Sequence, residues 1–186
     1  MSSSRFSPDA LAFLRELGAD RIPHPGGTLL AHLERVRDRL ALWGARPALQ
    51  LAGLCHACYG TDGFPAALLS LDHREDLAEV IGPDAEAIVY FYASCDRAAS
   101  YPSFADSAPA FRDRFTGRTY APDLHLRRDF AEVTVANELD LARRDPAFRA
   151  QWGPDLLALF TRLRPLLLVS AWQDCLDVLG AGRHSA

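Results

Sequence analysis

The sequence predicts an all-α, single-domain helical bundle, and three observations carry that prediction. Apolar residues recur at steps of three and four, caps and breakers punctuate those runs, and alternating β-branched stretches are absent. About seven helices are expected, with a long irregular segment near 100–122. A chain of 186 residues, 49% of them hydrophobic, can bury one sizeable core, so one domain is expected over 1–186.

Ser7, Pro8 and Asp9 read as a cap, a first-turn proline and a dipole-facing carboxylate, opening a helix from Pro8 to Leu17 that Gly18 ends. The prolines and glycines from Arg21 to Gly27 make a loop that delivers His24. From Thr28 a second helix carries Leu29, Leu33, Val36, Leu40 and Trp43 on one stripe, with His32 on the same buried face. Pro47 opens a third helix that runs to His56, and Tyr59 to Gly63 turn the chain.

Asp72 to Glu75 match a capping box for a short fourth helix ending at Gly82. Pro83 starts a fifth, where Ala85, Ile88, Tyr92 and Asp96 follow at helical spacing and set a carboxylate on an apolar stripe. A carboxylate so placed needs a partner. The Pro-, Ser- and Arg-rich segment 100–122 reads as a functional loop or lid. Phe130, Val133, Asn137 and Leu141 mark a sixth helix, and Pro154 to Leu179 one or two more, with a break at Pro165.

Every basic side chain is arginine, and the net charge of −4 gives no concentrated basic footprint, so a nucleic-acid partner is not expected. No apolar run approaches the length of a membrane span, and the first residues lack a secretory core. A cytoplasmic protein with no membrane partner is therefore expected. Cys55, Cys58, Cys95 and Cys175 are too sparse for a disulfide framework and read as free thiols. Cys55 and Cys58 form a C-x-x-C pair, but no second pair completes four zinc ligands.

His32, His56 and Asp96 fall on three helices, each on or at the end of an inward face. Imidazoles and carboxylates projecting from facing helices are how helical proteins build first-row metal sites. These three are the expected metal ligands, for iron, manganese or zinc. His24, Tyr59, Asp62 and Arg74 are the expected catalytic companions: Asp62 or Tyr59 to move protons, Arg74 to hold an anionic substrate, and His24 to face the same site.

The separation of 24 residues between His32 and His56, together with Ala52-Gly53-Leu54-Cys55-His56, resembles the first histidine and the A-x-L-x-H-D segment of the HD superfamily. Asp72 to Leu77, leading into Ile81-Gly82 and then Cys95-Asp96-Arg97, is similar to the helix pair that bears the last HD aspartate, notably in bacterial guanosine-tetraphosphate hydrolases. More narrowly, the stretch from His24 to Leu33 and the stretch from His56 to Thr61 resemble a group of HD-like proteins with a His-small-x-Tyr-Gly-Thr motif. The resemblance covers positions 24 to 100 and implies an HD-like core there; composition and spacing place a lid-like loop over 100–122 and C-terminal helices over 123–180. The resemblance also implies a divalent or di-iron centre, with phosphoester hydrolysis or oxygen-dependent oxidation. Ala57 stands where the HD dyad has its aspartate, which removes one ligand; Asp62 follows a turn later as a substitute.

Three functions are compatible with these residues. The first is a metal-dependent hydrolase or oxygenase acting on a small molecule. The second is an isomerase, cyclase or hydratase that uses the same pocket for acid–base work without a cofactor. The third is a degenerate HD-like domain that binds a ligand or partner without catalysis. The apolar helix from Leu156 to Leu179 leaves room for a homodimer contact.

Overall fold

A computed structural model describes residues 9–64 and 66–180. The expected cap at Ser7 and the start at Pro8 lie outside these residues. Among them are nine α-helices and two short hairpins, and the all-α fold class holds. Helix α1 (Ala10–Glu16) starts at Asp9, whose side chain accepts the Leu11 N–H. The hairpin of β1 (Pro23–His24) and β2 (Gly27–Thr28) turns through Gly26 and Gly27, both at positive φ, and hands the chain to α2 (Leu29–Leu42). Thr28 caps α2 by accepting the Ala31 N–H.

Helix α3 (Pro47–Cys55) lies against α2, and Gly53 is the point of closest approach. A Cβ there would overlap Leu40 Cδ1, so the interface is set by a missing side chain. Helices α4 (Arg74–Ile81) and α5 (Pro83–Ser94) meet at Gly82, whose φ of 86° only glycine adopts without strain. Then come α6 (Arg97–Ser100), the hairpin β3 (Phe111–Arg112) with β4 (Thr119–Tyr120), α7 (Leu124–Arg144), α8 (Pro146–Leu163) and α9 (Val169–Leu179).

Helix α7 is the axis of the fold. It touches α2, α3, α5, α8 and α9, and Phe130, Ala131, Val133, Val135, Ala136 and Leu139 are fully buried along it. A helix buried on nearly every side has no room for an unpaired polar group, so its polar residues are built into the interior. No helix is long and apolar enough to cross a membrane among the described residues. All four cysteines are free and buried.

Three expectations are corrected. Helix α5 stops at Ser94, because Cys95 turns extended and bridges to Asp113, so Asp96 leaves the apolar stripe. Helix α8 begins at Pro146 rather than Pro154: Asp145 caps it by accepting the Ala147 and Phe148 N–H groups, and Pro154 is carried inside the helix. The segment 100–122, expected to be irregular, contains the β3–β4 hairpin and is anchored: Phe104 and Phe111 are wholly buried, and Asp113 accepts bonds from the Phe115 and Thr116 amides and the Tyr90 hydroxyl, while most of its other residues are exposed.

Candidate functional site

Three histidines from three separate elements meet at one end of the α2–α3–α7 core. His24 comes from β1, His32 from the first turn of α2, and His56 from the residue that closes α3. The His24 and His32 rings stack with centroids 4.1 Å apart, and His56 meets His32 edge-on at 5.5 Å. They border a cavity of about 220 Å³ that Asp62, Arg97, Asn137 and Glu138 also line.

Two of the imidazoles, His32 and His56, are oriented by the far nitrogen, whereas His24 Nδ1 is buried with no hydrogen-bond partner among the described residues. His32 Nδ1–H donates to Asp140 Oδ2 at 2.7 Å, and Asp140 also accepts two bonds from Arg35, at 2.7 and 2.8 Å. His56 Nδ1–H donates to the Gly53 carbonyl at 2.7 Å. An acceptor at Nδ1 fixes the tautomer and turns Nε2 inward. Both Nε2 atoms then point at the Asn137 side-chain amide, whose Oδ1 is 2.9 Å from His32 and 3.2 Å from His56, while Nδ2 faces Glu138 Oε1 at 3.3 Å.

Burial, and then the charge of His32, pulls His56 down to about 3 and His24 down to about 4, so both are neutral near pH 7. Burial raises the Glu138 carboxyl, and nearby Arg97 opposes that only in part. Burial also works against ionised Asp140, but the bonds and charges of His32 and Arg35 outweigh it and hold the carboxyl below its usual range.

Arg97 opens α6 over the cavity. Its backbone N–H donates to Asp62 Oδ2 at 3.0 Å, its Nη2 donates to the Tyr92 hydroxyl at 3.2 Å, and its Nη1 lies 3.8 Å from Glu138. Burial disfavours its charge, yet Tyr92, Tyr101 and Glu138 together hold the guanidinium ionised.

The Asn137 amide has two ways to serve these neighbours. With its carbonyl toward the rings it accepts from a protonated His32 and leaves the His56 lone pair unserved. Turned over, it donates one N–H to each neutral ring, and its carbonyl accepts from a protonated Glu138.

The structure brings together four of the seven residues singled out from the sequence: His24, His32, His56 and Asp62. Asp96 is elsewhere. Once α5 ends, its carboxylate caps α6 through the Ala99 N–H and faces Arg112 at 3.6 Å. Tyr59 and Arg74 are also elsewhere, on Glu86. The Tyr59 hydroxyl donates to Glu86 at 2.8 Å, and Arg74 grips both carboxylate oxygens at 2.6 and 2.8 Å while lying over the Tyr90 ring. That cluster ties the turn after α3 to α4 and α5 and spends the hydrogen-bonding capacity of both residues on structure.

The donor set does not complete a metal site. Two imidazole nitrogens converge on one amide, and no group of three His, Cys, Asp or Glu residues able to hold an ion occurs among the described residues. In the Cys55–Cys58 pair, the hydrogen bond that the Cys58 thiol donates to Cys55, together with burial, pushes that thiol well up, the opposite of a reactive thiolate.

Asn137, Glu138 and Arg97, which line the cavity, and Asp140 and Arg35, which brace His32, are not among the residues singled out from the sequence. One signal was present: Asn137 interrupts an apolar stripe, the same sign that drew attention to Asp96.

Residues 13–97 are similar to the family model of a domain of unknown function, DUF6817. That span is less than half of the chain; it carries His24, His32, His56, Asp62 and Arg97 and ends before α7. No curated protein matches the chain, and no solved structure does.

Proposed function

We propose that the chain is an enzyme that moves protons on a small molecule with its own side chains, in the manner of an isomerase, cyclase or hydratase. The observation that carries this reading is the His32–Asp140 pair at the edge of a cavity lined by polar groups. A carboxylate on Nδ1–H holds the imidazole in one tautomer and stabilises the imidazolium that forms when Nε2 takes a proton. Glu138, raised by burial, is suited to be the acid that gives a proton back. Neutral His56 and the Arg97 guanidinium offer an acceptor and a cation to orient a polar substrate that displaces the Asn137 amide. A cavity of about 220 Å³ takes only a small polar group.

A test that needs no known substrate is deuterium uptake from D2O into a panel of 2-oxo acids and cyclic ketones, followed by proton NMR. His32→Gln abolishes uptake on this reading; uptake that survives the substitution rejects it.

The hydrolase or oxygenase reading with iron, manganese or zinc is supported by the two converging Nε2 atoms, each backed by an acceptor as metal-bound histidines are. It needs at least one ligand more than these side chains provide. Stoichiometric metal in untagged protein, lost in His56→Ala, would favour it over the acid–base reading.

A further inference from the structure

A second cavity, of about 380 Å³, lies between α7 and α8. Thr134, Phe148, Trp152, Leu156 and Leu159 give it apolar walls, and Arg97 and Glu138 line both this cavity and the histidine cavity. Two further features mark it. Tyr101 lines it as well; its hydroxyl is sealed from solvent and has no hydrogen-bond partner among the described residues, a costly state. Trp152, a large aromatic, stays 46% exposed beside it.

We propose that this cavity is the apolar subsite of the same small-molecule site, taking a substituted aromatic or alicyclic ring whose carboxylate falls to Arg97 at the junction. Size agrees with this: a cavity of about 150 Å³ already admits benzene, so the volume here accommodates a ring with substituents. Charge agrees as well. The Arg97 guanidinium donates one side-chain hydrogen bond among the described residues, to Tyr92, and faces Glu138 only at 3.8 Å, so donors remain for a carboxylate. The ring would then sit against α8 while the reacting end reaches the histidines. The chemistry assigned to that end rests on the acid–base reading; the binding does not.

The test uses the full chain, with tryptophan indole nitrogens and histidine Cε1 labelled, titrated with benzoate and with toluene. Benzoate is expected to shift the Trp152 indole saturably, leave Trp43 and Trp172 unmoved, and shift the His32 and His56 signals along the same isotherm. It is expected to bind on the order of tenfold more tightly than toluene, because one ligand has the carboxylate for Arg97 and the other has not. Leu159→Trp, which narrows the cavity, should weaken the benzoate-induced Trp152 shift while circular dichroism stays unchanged. An unmoved Trp152 overturns the subsite. Equal affinity for toluene and benzoate overturns the anion assignment, and a Trp152 shift with the histidines unmoved overturns the union of the two cavities. Failure of the acid–base reading looks different: deuterium uptake survives His32→Gln while benzoate still binds.

Discussion

His32 Nδ1–H donates to Asp140 Oδ2 at 2.7 Å across 108 positions of sequence, and this bond joins the start of α2 to the central helix α7. Both side chains are almost wholly buried, and Arg35 completes the arrangement with two bonds to the same carboxylate. Stability and proposed chemistry therefore meet in one carboxyl group. Asp140→Asn should lower unfolding free energy by about 1–3 kcal/mol, the usual cost of leaving buried hydrogen-bonding groups poorly paired. Urea denaturation reads this. The same substitution should reduce deuterium uptake by about a hundredfold or more, because the tautomer of His32 is no longer held.

Asn137→Leu removes the group that both Nε2 atoms address. Two buried imidazole nitrogens lose their partner, at a cost of about 1–3 kcal/mol. Circular dichroism melts check this.

The buried histidines make the fold acid-sensitive. In the folded protein His56 is pulled down to about 3 and His24 to about 4, against 6.5 without the fold. Between those values the unfolded chain binds more protons, so their contribution is complete above pH 6.5 and is lost as pH falls toward 4 and then 3. The urea midpoint should drop between pH 7.5 and 4.5, and His56→Gln should flatten that drop.

Glu132 acts in the opposite sense. Burial pushes its carboxyl up to about 7; one oxygen accepts the Leu168 N–H and the other has no partner among the described residues. A raised folded value means that its contribution is present below pH 4.5 and lost as pH rises through 7. Glu132→Gln should therefore raise the thermal midpoint at pH 8 and change it little at pH 4.5.

Gly53→Ala should destabilise by about 1–3 kcal/mol through overpacking, because the new Cβ meets Leu40, which is fully buried and cannot swing into solvent. The Gly53 carbonyl also holds His56, so any shift of α3 against α2 should change the His56 ring signals in NMR.

Much of this molecule was legible before any coordinates. The α2 stripe, the Pro47 start of α3, the Gly82 junction and the inward faces of His32 and His56 follow from local periodicity and caps. Asp96 shows where such reasoning stops. Its helical spacing from Ala85 is real, but the helix ends two residues before it, because the chain gains a bridge from Cys95 to Asp113 that no local pattern announces. Tyr59 and Arg74 differ again: their types suit chemistry, and only the position of Glu86 shows that they are used to brace the fold.

The order of residues alone settled where helices form and which of their faces turn inward, since caps, breakers and apolar spacing act within a few positions. Which polar groups meet inside was decided by the packing of α7 against α2 and α3, which brings Asn137 and Asp140 to His32 and His56 from 81 to 108 positions away. A buried polar group takes the partner that the whole fold brings to it, because the penalty for leaving it unpaired is met in three dimensions and leaves no local trace in the chain.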